Sequence, residues 1–452
     1  MIRHLESWLS HWKVHSRRKP LILRGARQVG KTYTVLSFGR KEFAEVIVCD
    51  FERDPALRRA FEGSLDAPGL IRRLEVETGQ RIHPGRTLLF LDEIQACERA
   101  LVALRYLYEQ VPELHVIAAG SLLELAVAPT SFPVGRVEFA WLYPMSFREF
   151  LGALGQDILV EHLPNREARQ PLAASIHEKF LEKLREYFLV GGMPEAVAAY
   201  VESGSMVEAG RVHAALSQSY LDGLTKYGTR IERGVLEHIF ESLPRQVGRQ
   251  IKYTALYPEK RVETIKNALG MLFRSQVAHK VSASSAQGLP LMAGATEKTF
   301  KSIFLDIGMM QHLCGISARE VLGSTDLMKT FEGALAEQFV GQELLAQRGG
   351  SENGHLYYWA RAQRNSSAEV DYVIAEADGP ITPLEVKSGP AGKLRSLHQY
   401  LAEHADCKTG LVLSSANVAD MPEQRIRFLP LYLQWNPPSA PTVHATSSDV
   451  ES

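Results

Sequence analysis

Gly25-Ala26-Arg27-Gln28-Val29-Gly30-Lys31-Thr32 is the stretch on which the reading of this chain turns. It fits G-x-x-x-x-G-K-[ST], the P-loop pattern, and stands where that pattern must stand, after the apolar run Leu21–Leu23 and at the opening of a helix. The residue types follow from the ligand chemistry. Glycines at 25 and 30 let the backbone N–H groups curl around phosphate oxygens at a helix N-terminus. In such a loop Lys31 reaches the β- and γ-phosphates of ATP, and the Thr32 hydroxyl binds Mg²⁺. The plainer alternative is an ordinary strand-to-helix turn.

A second stretch weakens that alternative. Thr87-Leu88-Leu89-Phe90-Leu91-Asp92-Glu93 reads as a buried strand ending in two carboxylates, the Walker B arrangement. Asp92 is expected to hold Mg²⁺ through water, and Glu93 to orient and polarise the attacking water. A base for water beside the metal carboxylate, with no acceptor-substrate motif, points to an ATP hydrolase rather than a kinase. Short apolar runs at Val46–Cys49 and His115–Ala119, with the helical pattern Ala100–Gln110 between strands, predict a parallel sheet flanked by helices. Ser121, just after the last of these runs, is either a polar sensor of the γ-phosphate or a turn residue.

With these motifs in order, the chain resembles prokaryotic AAA+ type ATPases that carry a P-loop domain, a helical lid, a winged helix and a C-terminal domain of uncharacterised function. The resemblance rests on Lys19–Thr32, on Leu91-Asp92-Glu93-Ile94-Gln95 and on Gly192-Met193-Pro194, and extends over roughly residues 1 to 430. It implies that Pro194 belongs to a motif closing on the adenine. It also makes Arg136 a candidate phosphate-sensing arginine, acting in cis or in trans; the alternative is a surface arginine.

The middle of the chain is basic. Lys226–Lys280 holds 11 Lys and Arg against 5 Asp and Glu. Winged-helix domains place one helix in the DNA major groove, and Arg261–Phe273 has a suitable length, with Lys266 and Arg274 beside it. DNA is therefore one expected partner. The alternative is a packing or protein-binding module, since Leu269, Leu272 and Phe273 are core residues. A homo-oligomer or a protein partner is the further expectation.

The C-terminal part offers a D…E-x-K pattern: Asp371 in Glu369–Val373, then Glu385 and Lys387 on the next apolar run. On adjacent strands Asp371 and Glu385 can share a metal, with Lys387 on the same face as Glu385. This resembles the restriction-endonuclease-like nucleases, which often add a glutamate from the preceding helix; Glu337 fills that place, flanked by Gly333 and Gly341. The expected catalytic set there is Asp371, Glu385 and Lys387, with Glu337, Asp371 and Glu385 as metal ligands. The pattern is weak alone, because charged residues alternate on many solvent-facing strands.

At 452 residues the chain is long enough for several cores, which rules out a small stapled scaffold. Its formal net charge of -1 gives no global excess for nucleic acid or membrane, so any such contact is local. Four dispersed cysteines suggest neither zinc nor a disulfide framework. The absence of a signal-like N-terminus and of an apolar run near the roughly 18–20 residues of a spanning helix predicts a cytoplasmic protein without a membrane partner. The expected fold class is α/β: an AAA+ like P-loop NTPase core at 1–142, a helical lid at 143–230, a winged helix at 231–325, a nuclease-like α/β domain at 326–435 and a disordered tail at 436–452.

Overall fold

The computed structural model describes residues 1–435 except 122, 127–132, 134, 228–231, 317–332, 348–353, 362–367, 376–379, 388 and 390–392. The tail 436–452 and the expected boundary at 325/326 lie outside the described residues.

Five parallel strands form the first sheet: β1 (Leu21–Arg24), β2 (Glu45–Asp50), β3 (Thr87–Asp92), β4 (His115–Ala119) and β5 (Glu138–Trp141). Their order is β2-β3-β4-β1-β5. Every residue of β3 and β4 is buried, as in parallel strands covered on both faces. Successive side chains feed opposite cores. Leu21, Leu23, Leu88 and Phe90 join one cluster with Val35 and Phe38 of the helix Lys31–Glu42. Ile22, Leu89 and Leu91 join the other with Leu101 and Leu104 of the helix Glu98–Gln110. Because all five strands are parallel, their carboxyl ends share one edge. That edge receives the loop 25–30, the pair Asp92–Glu93, and Ser121.

The helices Phe147–Ala153, Asp157–Glu161, Ala174–Val190, Pro194–Ser203 and Met206–Tyr227 follow. Ser146 and Glu149 form a reciprocal capping box at the first of them. Then come Arg233–Ser242, Tyr253–Leu256 and Val262–Arg274, and a hairpin of β6 (Ala278–Ser284) and β7 (Ala295–Phe304).

The remaining strands are β8 (Leu356–Ala360), β9 (Glu369–Ile374), β10 (Thr382–Val386), β11 (Gly410–Ser414), β12 (Ala419–Met421) and β13 (Ile426–Pro430). They do not stand apart from the hairpin. β6 pairs in parallel with β8 from Val281↔Leu356 to Ser284↔Trp359, so one eight-stranded sheet runs β12-β13-β11-β10-β9-β8-β6-β7. A ladder of main-chain hydrogen bonds therefore crosses from the segment read as a winged helix into the C-terminal segment; unpaired edge groups of β6 and β8 satisfy each other. The helix Ala334–Gln347 packs on this sheet. Among the described residues, no helix is long and apolar enough to cross a membrane. All four cysteines are free thiols.

Candidate functional site

The loop between β1 and its helix is held by backbone geometry that few residues tolerate. Gly30 caps the helix at φ +94°, in the left-handed region, and Gln28 sits at φ +59°. A Cβ on Gly25 would lie 2.3 Å from the Leu142 carbonyl oxygen, so only glycine fits there. Ala26 and Val29 are buried in the core, which fixes the loop from beneath.

Lys31 is buried and donates to the carbonyl oxygens of Gly25 (2.9 Å) and Ala26 (2.8 Å), across the concave side of the loop. Burial pushes its pKa down to about 8, with Glu93 and Asp92 pulling the other way. Thr32 Oγ1 donates to Asp92 Oδ2 at 2.7 Å, so the two expected Mg²⁺ ligands are brought together. Burial raises the Asp92 pKa, against the Thr32 hydrogen bond.

Glu93 follows at φ +48°, a strained conformation for a residue with a Cβ. Its Oε2 accepts from Gln95 Nε2 (2.5 Å), from Ser121 Oγ (3.2 Å) and from the Ser121 amide (3.4 Å). Arg27 Nε donates to Ser121 Oγ at 3.3 Å. Arg27, Ser121 and Glu93 thus form one connected line from the loop to the end of β3.

The turn Gly191-Gly192-Met193-Pro194 reaches the same edge. Pro194 opens its helix, and a Cβ on Gly30 would lie 3.5 Å from Pro194 Cγ. The turn is pinned from two sides: the Gly192 amide donates to Asp306 Oδ2 (2.6 Å), and its carbonyl accepts from the Met145 amide (2.7 Å).

One expectation here needs correction. Arg136 lies just before Glu138, which is paired with Leu21 at the start of β1, whereas the P-loop leaves the other end of that strand. Its Nε is bound to Glu109 Oε1 at 2.7 Å on the exposed surface, so it serves no phosphate of its own chain. The neighbouring Val134 lies outside the described residues. Arg274, read as flanking a DNA-reading helix, lines a cleft with Ser275, Gln276, Gly25 and Gly120, beside the P-loop. Lys266 lies over the Tyr253 ring.

Several residues that matter here carry no motif. Arg3 is buried, pairs with Glu149 (3.1 Å) and donates to the carbonyls of Val29 (2.8 Å) and Tyr143 (2.7 Å), bracing the loop from the N-terminal helix side. The Tyr220 hydroxyl donates to the Arg27 carbonyl. The Ser146-x-x-Glu149 capping box was readable in the sequence; its link to Arg3, across 146 positions, was not.

The C-terminal residues converge, but around a lysine. Lys301 of β7, 1% exposed, lies 3.0 Å from Glu337 Oε1, 3.0 Å from Glu369 Oε1 and 3.7 Å from Asp371 Oδ1. Burial works against its charge, yet Glu337, Asp371 and Glu369 outweigh it and hold the ammonium well above its usual pKa. Asp371 Oδ2 accepts from the Val386 amide at 2.8 Å. Glu385 Oε1 is bound by Lys387 at 2.5 Å, while its buried Oε2 has no partner among the described residues. Burial raises the pKa of both Glu337 and Glu385. Among the described residues no three His, Cys, Asp or Glu are placed to hold a metal. The expected ligand set Glu337, Asp371 and Glu385 is thus corrected: a cation of the chain itself stands among those carboxylates. Gly341 does not leave a face open to a metal either, since a Cβ there would meet the Tyr372 hydroxyl at 2.5 Å.

Comparison with known proteins gives three matched families: residues 17–151 match the AAA domain, and 181–320 and 332–433 match two domains of unknown function, DUF8612 and DUF4143. No curated protein matches. Among solved structures the chain is similar to the Walker-type ATPase paby2304 of Pyrococcus abyssi, at 16% identity over 69% of this chain and 93% of that one, with a TM-score of 0.43. It is also similar to the Aeropyrum pernix ORC1 protein in complex with DNA (12% identity, 69% and 90% covered, TM-score 0.27). A third likeness is Thermotoga maritima RuvB (11% identity, 61% and 86% covered, TM-score 0.27). Likenesses this distant carry no argument about activity. The AAA-domain match falls on the residues that carry the five-stranded parallel sheet and the loop around Lys31 and Thr32.

Proposed function

We propose that this protein binds ATP with Mg²⁺ at the P-loop and hydrolyses it. The observation that carries the reading is the meeting of Thr32 and Asp92 at 2.7 Å, with Glu93 next in the chain and Lys31 across the loop. The donor set fits the ligand: backbone N–H groups at a helix N-terminus and a lysine for phosphate, a hydroxyl and a carboxylate for a hard cation. Mg²⁺ held by Thr32 and Asp92 would neutralise charge on the β- and γ-phosphates. Lys31 turns from the Gly25 and Ala26 carbonyls to the phosphates, the Gly192–Pro194 turn covers the nucleotide, and Glu93 orients water against the terminal phosphate.

Binding and turnover of ATP by the intact chain and by two variants test this. Lys31→Ala abolishes binding, and Glu93→Gln binds ATP while turnover falls by roughly 10²–10⁴-fold, the usual worth of a general base. An intact protein that does not bind ATP, or a Glu93→Gln protein with unchanged turnover, overturns the reading.

A specific observation bears on the output. Lys301 among Glu337, Glu369 and Asp371 favours a switch in which ATP sets the conformation and the C-terminal domain holds a protein or nucleic-acid partner without cutting it. Incubation with Mg²⁺ or Mn²⁺ and several DNA forms, beside the double change Asp371→Ala and Glu385→Ala, is expected to show no cleavage that depends on these residues. Cleavage lost in the double variant restores the nuclease alternative.

A further inference from the structure

The helix Val262–Arg274 ends beside the P-loop. It packs on the short helix Leu123–Ala126, and its last residue and the two that follow share a cleft with Arg24, Gly25, Gly120 and Leu123. Two walls of that cleft belong to the nucleotide site. Gly25 supplies a carbonyl that holds Lys31, and Gly120 precedes Ser121, whose hydroxyl donates to Glu93. The cleft thus opens between groups that a terminal phosphate would meet.

Its charge is one-sided. Arg24 and Arg274 line it, with no acidic residue among the described residues that do. Arg24 is turned onto aromatic faces, 4.2 Å from the centre of the Phe139 ring and 5.9 Å from that of Trp141. Arg274 is exposed and has no ion pair or hydrogen bond among the described residues. Its guanidinium lies back along its own helix, where Gly270 leaves room for it: a Cβ there would be 3.4 Å from Nη1.

The end of the helix carries a second, independent sign. The Val277 amide donates to the Leu272 carbonyl (3.0 Å) and the Gln276 amide to that of Phe273 (3.1 Å), a pattern that ends a helix on a left-handed residue, usually glycine. Here Gln276 takes that place at φ +61°, strained for a residue with a side chain, and its buried Oε1 has no partner among the described residues. Strain and an unsatisfied polar atom in one cleft favour a ligand there over a plain turn.

We propose that Arg274 is a phosphate-binding residue of the ATP site, engaging the terminal phosphate within the same chain, so that the start of β6 registers whether ATP or ADP is bound. The proposal rests on the ATP reading above. A guanidinium meets a phosphate with parallel N–H donors, and ADP lacks the group it takes. Gln276 and Val277 alone separate Arg274 from β6, and β6 pairs with both β7 and β8. A shift of Arg274 toward the phosphate is therefore carried into the eight-stranded sheet.

The test measures, on the full chain with Mg²⁺, affinity for ADP and for the non-hydrolysable β,γ-imido analogue of ATP, together with amide exchange across Ala278–Ser284. In Arg274→Ala, affinity for the analogue is expected to fall roughly 10–100-fold and that for ADP to change less than about 3-fold, with Arg274→Lys in between. The analogue, unlike ADP, should slow exchange in β6 of the intact protein, and Arg274→Ala should lose that difference. An Arg274→Ala protein that loses affinity for both ligands alike, or for neither, overturns the proposal, as does exchange in β6 that is the same with either ligand. Unchanged nucleotide affinities with weakened binding of duplex DNA would return Arg274 to a DNA-reading helix. An intact chain that binds neither ligand overturns the ATP reading as well; one that binds both, with Arg274→Ala unaffected, overturns this proposal alone.

Discussion

Arg3 and Glu149 form a buried ion pair at 3.1 Å, with side chains 4% and 5% exposed, and the same guanidinium donates to the Val29 carbonyl inside the P-loop. The His4 amide also donates to Glu149 Oε1, at 2.7 Å, which completes the carboxylate's bonding and ties the start of the chain to the helix at Phe147. The Glu149 pKa is held low although burial, the largest influence, pushes it up; Arg3 and His4 reverse the balance. Removing one partner of such a pair strands the other charge. Arg3→Ala should therefore cost about 3–5 kcal/mol in denaturant unfolding. It should also weaken ATP binding while turnover at saturation changes little, because Arg3 acts through the loop and touches no reacting atom. A loss below about 1 kcal/mol would sink this assignment.

Glu93 is held at one oxygen by Gln95 and Ser121, and that oxygen is one a reacting water would need. Gln95→Ala releases one of those holds without touching the loop. If a single such bond is worth about 1 kcal/mol, turnover should rise roughly 2–10-fold while ATP affinity stays the same. A fall in turnover would show instead that Gln95 places Glu93 for the reaction.

The first sheet was legible because its information is local. Each of Leu21–Leu23, Val46–Cys49, Thr87–Leu91 and His115–Ala119 is a short apolar run, and each lies within one residue of a strand. The P-loop and Asp92–Glu93 were legible for the same reason: each is contiguous and has a ligand-imposed order. β5 was not anticipated, since Glu138–Trp141 is four residues long with only part of it buried. Lys301 was unreadable because its meaning lies in partners 36, 68 and 70 positions later, and nothing in Lys298–Ser302 marks one lysine as buried. Arg136 was misplaced for a related reason. Its strand enters the sheet with the same direction as β1, which puts the residue before it at the edge far from the phosphates.

Gly191 offers a local test of how the turn before Pro194 is held. It sits at φ +70°, and a Cβ there would fall 2.2 Å from Asp306 Oδ1. That carboxylate cannot swing aside freely, because Oδ1 accepts from the Met309 amide (3.0 Å) and Oδ2 from Gly192. Gly191→Ala therefore combines a left-handed backbone with overpacking, for about 2–5 kcal/mol of lost stability. ATP affinity should fall with it, as Pro194 shifts from Gly30. A melting temperature equal to that of the intact protein would show that the turn relaxes without cost.

Glu343 should make stability depend on pH in a direction opposite to most carboxylates. It is buried on the helix Ala334–Gln347, where Oε1 accepts from the Phe147 amide (2.8 Å) and Oε2 from Gln347 Nε2 (2.9 Å). Burial pushes its pKa up to about 8, against those two hydrogen bonds. In the unfolded chain the carboxyl titrates near its ordinary value of about 4.3. Below that pH both states carry the proton and Glu343 adds no pH dependence. As pH rises from about 4 to about 8 the unfolded chain gives up its proton and the folded one keeps it, so stability falls across that window and levels off above it. The full loss is on the order of 3–5 kcal/mol. Glu343→Gln removes the titration and keeps an oxygen for the Phe147 amide. Gln347 Oε1, without a partner among the described residues, can turn to accept from the new amide group. Denaturant unfolding at pH 5 and pH 8 should show the variant gaining on the intact protein at the higher pH; a difference that is the same at both would mean that Glu343 is ionised in the folded protein.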